Sequence, residues 1–139
     1  MNEEFYRKLI DYRNSMGLAR DLGIRVLEVR EGFARAELTV SEAHVNLIGT
    51  VHGGILMTFA DIVASVAAWS YGIYTTTMNC SVNFLNAASH VDRLRAEARV
   101  EKHGRRSVVA RVVLTDPEDT AILTGSFTLF SLDKPIVFD

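Results

Sequence analysis

The chain has 139 residues, 48% hydrophobic and 23% charged, with 15 Lys and Arg against 17 Asp and Glu. That length suits one domain over residues 1–139, and a net charge of −2 gives no general reason to expect nucleic acid as a partner. Cys80 is the only cysteine, which excludes an intrachain disulfide, and the opening MNEEFYRKLIDYRNS is too charged for a secretory signal, so a reducing, cytoplasmic setting is expected.

Residues 3–16 predict an amphipathic helix with Phe5, Leu9, Ile10 and Tyr12 turned inward. Ile24 to Arg30 predicts a strand and Glu31-Gly32 a tight turn. Ala34, Ala36, Leu38 and Val40 then alternate with Arg35, Glu37 and Thr39, the period of a half-buried strand. Residues 41–52 lack a period and predict a loop.

Gly53 to about Ser70 predicts a helix with two apolar stripes, Leu56, Ala60, Val63, Ala67 and Ile55, Phe59, Ile62, Val66. A helix apolar on nearly every side is buried on all of them, so a core helix is expected rather than a membrane span. After Gly72 the period changes to strands. Met78, Cys80, Val82 and Phe84 predict an inward side, with Cys80 as core filler. Leu94 to Val100, Val108 to Leu114 and Ala121 to Ser131 predict three more strands, joined by turns at His103-Gly104 and at residues 116–119. An α+β fold follows, with one curved antiparallel sheet wrapped around one central buried helix.

Within this frame one residue is out of place. From Gly53 to Gly72 there is no Lys, Arg or Glu, and Asp61 is the only formal charge. A carboxylate in so apolar a stretch is costly to bury unless it has partners or a task. Before it stand Gly53 and Gly54, where backbone N–H groups can lie open at a helix start. A carboxylate and open N–H donors are the minimum parts for attack of water on a carbonyl. Along the axis, however, Gly53 and Asp61 lie about 12 Å apart at ~1.5 Å per residue. Two antiparallel copies of the helix across a two-fold axis would bring each donor set to the partner's carboxylate. If these residues form a site, a homodimer with shared active sites is the natural way to build it.

The pattern Asn46, Gly49, His52-Gly53-Gly54 and Asp61 resembles the signature of hotdog-fold acyl-CoA thioesterases, most of all the PaaI-like group named for phenylacetic acid degradation. The order of elements resembles the hotdog fold over nearly the whole chain. The resemblance implies hydrolysis of an acyl-CoA thioester to a free acid and CoA, without a metal or other cofactor, CoA being part of the substrate. It implies that Gly53 polarises the thioester carbonyl with help from Asn46, and that the partner's Asp61 acts as general base on water or as nucleophile. Thr77 would orient that water, and His52 would assist departure of the thiolate. Gly54 would contribute to the CoA-binding helix start. Pairing of dimers into a homotetramer is a further habit of the family.

Lys102, Arg105 and Arg106 cluster around the His103-Gly104 turn. Coenzyme A carries a 3′-phosphate and a pyrophosphate, which Arg and Lys at a strand turn can grip. Two other classes stay open on sequence: a non-catalytic acyl-CoA-sensing module, and a hotdog hydratase or dehydratase. Against the latter, no His stands a few residues after Asp61, and no Lys or Arg follows it before Arg93. The acyl group is not specified, since Phe59, Trp69, Tyr71 and Tyr74 suit an aromatic or a fatty pocket equally well.

Overall fold

The computed structural model describes residues 1–15 and 17–139. Helix α1 spans Glu3–Ser15 and a short α2 spans Gly17–Leu22. Strands β1 (Ile24–Arg30) and β2 (Phe33–Thr39) follow, then helix α3 (Gly53–Trp69), and then β3 (Ile73–Phe84), β4 (Arg93–His103), β5 (Ser107–Thr115) and β6 (Ala121–Pro135). The strands form one antiparallel sheet in the order β1-β2-β4-β5-β6-β3. Helix α3 lies across its inner face, against all six strands. No described helix is long and apolar enough to cross a membrane.

Small side chains explain where α3 sits. Ala60, Ala64 and Ala67 are fully buried on the helix. The sheet is equally small beneath: Ala34 pairs with Ala98 and Ala36 with Ala96 across β2 and β4, and all four are fully buried. Small residues on both sides let helix and sheet approach closely, and Phe59, Phe127, Leu94, Leu114 and Leu129 fill the remaining volume.

Several sequence expectations are corrected. The first helix is described to Ser15, and Met16, which the expected helix includes, lies outside the described residues. Its buried groups are Tyr6 and Leu9, while Phe5, Ile10 and Tyr12 are only half-buried. Helix α2 is absent from the sequence reading, because six residues are too few to show a helical period. Helix α3 is not covered on all sides within one chain: Gly54 and Met57 are exposed, and Thr58, Asp61 and Ser65 are half-buried along one stripe. The sheet covers only one face of the helix. Met78 and Phe84 are exposed rather than inward, because β3 is an edge strand and its register shifts between Thr77 and Asn79. Such a bulge turns side chains away from strict alternation. Cys80 is half-buried and packs against the core.

Helix α1 is docked on β1 by a reciprocal pair. The Val26 N–H donates to Asn14 Oδ1 at 2.8 Å and Asn14 Nδ2 donates to the Val26 carbonyl at 3.0 Å. The outer edge of β1 is thereby partly covered.

The packing of α3 on this alanine floor makes a test. Ala64→Leu forces extra methylenes between helix and sheet and is expected to cost about 1–3 kcal/mol of unfolding free energy, measured by urea denaturation. No change would mean that α3 does not lie close on the sheet.

Candidate active site

The approach to α3 is built by a tight turn. Asn46 Oδ1 accepts the N–H of Ile48 at 3.1 Å and of Thr50 at 3.0 Å, and Asn46 Nδ2 donates to Thr50 Oγ1 at 2.6 Å. Gly49 closes the turn at φ +81, where glycine is favoured. Asn46 therefore shapes the turn, and one of its two Nδ2 hydrogens is left for another partner. The turn pushes Leu47 and Ile48 outward, both largely exposed.

His52 is the residue before α3. Its carbonyl accepts the N–H of Ile55 at 3.0 Å and of Leu56 at 3.1 Å, and its exposed side chain makes no cap hydrogen bond. Among the described residues, the N–H groups of Gly53 and Gly54 have no hydrogen-bond partner. Helix starts leave such groups unsatisfied, and the helix dipole makes them an anion-favouring spot. There is no acidic residue in this first turn to compete for them. Asn46 and Gly53 line one cleft of about 320 Å³ together with Thr50, Leu56, Phe84 and Asn86.

Asp61 does not line that cleft. It sits on the open stripe of α3, half-buried, and Thr77 Oγ1 of β3 donates to its Oδ1 at 2.5 Å. Thr77 is placed by the register shift in β3, which lies immediately after it. The second carboxylate oxygen has no partner among the described residues. The structure thus brings together Asn46, Gly53 and Gly54 with His52 just before them, and separately Asp61 with Thr77. Within one chain the two sets do not meet.

Lys102, Arg105 and Arg106 are exposed at the β4–β5 turn, and none is in an ion pair among the described residues. Arg105 borders a cleft of about 230 Å³ with Ala68, Tyr71, Thr75 and His103. Tyr71 and His103 stack there with centroids 3.7 Å apart. This cleft is at the C-terminal end of α3, away from Gly53 of the same chain.

One residue near Asp61 is missed by the sequence reading. Arg13 of α1 donates from Nη2 to Ser65 Oγ at 2.7 Å, and its guanidinium lies 4.4 Å from the Trp69 ring centroid. Burial pushes it down to about 10, with the nearby Asp61 carboxylate pulling the other way. It is therefore a cation at neutral pH. Arg13 and Ser65 are 52 positions apart, so no local spacing could reveal the contact.

Two substitutions separate shape from chemistry at the helix start. Asn46→Ala removes the acceptor for two N–H groups and is expected to cost about 1–3 kcal/mol, read as a lower melting temperature. Gly53 does not need a left-handed backbone, and an added Cβ would stand 3.4 Å from the Phe84 ring. Gly53→Ala should therefore keep stability within about 1 kcal/mol, with any loss appearing in turnover. A collapse of the melting temperature with full residual activity would make Gly53 a packing residue.

Comparison with known proteins identifies the family and the fold. The family model described as the thioesterase superfamily matches residues 48–122, from the turn before α3 into β6. The acyl-coenzyme A thioesterase PaaI of Escherichia coli is 29% identical over 104 residues, covering 75% of this chain and 74% of that protein. The structure of the E. coli PaaI protein from the phenylacetic acid degradation operon superposes with a TM-score of 0.87 at 24% identity, over 95% of this chain and 99% of that one. A hypothetical thioesterase protein of Streptococcus pneumoniae, solved with coenzyme A, superposes with a TM-score of 0.78 at 23% identity, over 86% and 100% of the two chains. The six-stranded antiparallel sheet laid against α3 is the hotdog fold, and the chain belongs to the thioesterase superfamily as a PaaI-like thioesterase.

Proposed function

We propose that this thioesterase hydrolyses acyl-CoA esters at sites shared between two copies of the chain. The observation that carries the reading is the division of the site. A carboxylate held by a hydroxyl stands at mid-helix, and open N–H donors stand at the helix start, about 12 Å away at ~1.5 Å per residue. An Asp side chain cannot span that gap.

A second copy set antiparallel closes it. Among the described residues the outer edge of β3 has no strand beside it, and exposed Met78, Phe84 and Leu85 lie along or just beyond it. Leu47 and Ile48 add exposed apolar surface at the entry to α3. Open strand edges and contiguous apolar surface favour pairing with another chain. Pairing β3 to β3 across a two-fold axis would run the two α3 helices antiparallel and bring each Gly53 toward the other chain's Asp61.

In that arrangement the thioester carbonyl oxygen accepts hydrogen bonds from the N–H of Gly53, with Gly54 beside it and the spare Nδ2 hydrogen of Asn46 in reach. The partner chain's Asp61 takes a proton from water, whose oxygen attacks the carbonyl carbon. Thr77 donates to one carboxylate oxygen, and its own oxygen can accept from the same water, fixing its direction. The tetrahedral oxyanion is held at the helix start. The C–S bond then breaks, and His52 assists departure of the thiolate.

The coenzyme A part of the reading rests on the relatives' chemistry and on the basic turn. Lys102, Arg105 and Arg106 are free to meet the phosphates of the nucleotide end. With antiparallel helices, the turn of one chain comes near the Gly53 end of the other.

Asp61→Asn is expected to lower kcat by about 10²–10⁴-fold, with the fold intact by circular dichroism. The assay is thiol release from a panel of CoA esters running from acetyl to long-chain and aryl groups. A variant that keeps more than half of the wild-type kcat would remove Asp61 from the mechanism.

A further inference from the structure

A second cleft opens on the side of α3 that faces the N-terminal helices. It has a volume of about 310 Å³ and is lined by Tyr12, Arg13, Leu18, Ala19, Ile62 and Trp69. Ile62 is the neighbour of Asp61, and Trp69 stands on the same helix stripe as Asp61 and Ser65, at intervals of four residues. The cleft runs along the helix between Ile62 and Trp69, and Asp61 is not among the residues that line it. It is large enough for a short acyl chain and too small for a nucleotide.

Its walls are mostly apolar, but Arg13 is a cation within them. Among the described residues the guanidinium makes one hydrogen bond, to Ser65, and it rests on the Trp69 face. Its Nη1 is fully enclosed and has no hydrogen-bond partner among the described residues. No described carboxylate lies within ion-pair distance of it. A buried guanidinium nitrogen without an acceptor is costly, since its desolvation is not offset. The position is nonetheless firmly held: Asn14, next in the chain, is clamped to β1 by two hydrogen bonds. Arg13 borders the cleft, and a small shift of its side chain would bring the enclosed Nη1 to a ligand there; a planar fork with an unused donor is the partner that a carboxylate fits best.

We propose that this cleft takes the acyl group and that Arg13 selects acyl groups ending in a carboxylate. The inference rests on the acyl-CoA reading above. Arg13 meets α3 at Ser65, one turn beyond Asp61 and about 6 Å farther along the axis at ~1.5 Å per residue. A short dicarboxylic acyl group, with its thioester carbon at Asp61, would place its far carboxylate there.

The test compares thioesters matched in chain length, glutaryl-CoA with pentanoyl-CoA and adipoyl-CoA with hexanoyl-CoA, by thiol release from the full chain. The wild type is expected to favour a dicarboxylic member at least tenfold in kcat/KM. Arg13→Met should bring that ratio to about twofold or less, whatever change the lost charge near Asp61 makes to both esters alike, and Arg13→Lys should restore part of it. Arg13→Gln, which keeps a donor for Ser65 without the charge, serves if the Met variant folds poorly, and should also lose the preference. No preference in the wild type, or one that survives Arg13→Met or Arg13→Gln, overturns the proposal and points to water on Nη1. Turnover without an Arg13-dependent preference leaves the acyl-CoA reading standing. Absence of thiol release from every ester overturns that reading as well.

Discussion

A carboxylate two turns into a helix cannot reach the N–H groups at that helix's own start. Both parts are present on α3, and both are left unfinished by the single chain. Among the described residues, Gly53 and Gly54 have donors without acceptors, and Asp61 has a hydroxyl partner on one oxygen only. The rise of the α-helix therefore decides more about this protein than any single contact. It separates Asp61 from the open N–H groups within the chain, and the proposed site therefore calls for a second copy to complete it.

The fold supports this division at each level. The alanines of α3, laid over the alanines of β2 and β4, fix the helix on the sheet. With the helix fixed, its open stripe of Gly54, Met57, Thr58, Asp61 and Ser65 has a defined outlook. The register shift in β3 then sets Thr77 against Asp61. The strand that supplies Thr77 is also the open edge of the sheet. The element that holds Asp61 is thus also the one best placed to meet another chain, so in the proposed mechanism catalysis and assembly depend on the same strand.

Much of this was legible in the sequence, and the failures have physical causes. Helix α3 and strands β2, β4 and β5 carry strong periods, because each has a face that must be buried inside one chain. Asp61 stood out because burial of charge is expensive, and the same argument reached Thr77 only with the family resemblance. The inward reading of Met78 and Phe84 failed because alternation does not reveal whether an apolar side meets this chain or faces outward. Asn46 also shapes the turn before α3, since Asn side chains compete for local N–H groups. Arg13 was invisible because its partners, Ser65 and Trp69, are remote in sequence. A charged residue on an amphipathic surface helix gives no sign that it turns inward.

The central claim, that each site is shared, is tested most directly by mixing defects. One chain carries Asp61→Asn, and a second, tagged chain carries Asn46→Ala with Gly53→Ala, so that each is inactive as a homodimer. In a mixed dimer one site collects every defect and the other collects none. After the mixture is unfolded and refolded together, the tag establishes that subunits have exchanged. Thiol release is then predicted to return, up to about a quarter of wild type for random pairing across a two-fold interface. Tagged heterodimers that form without recovering activity would place the whole site within one chain and contradict the account.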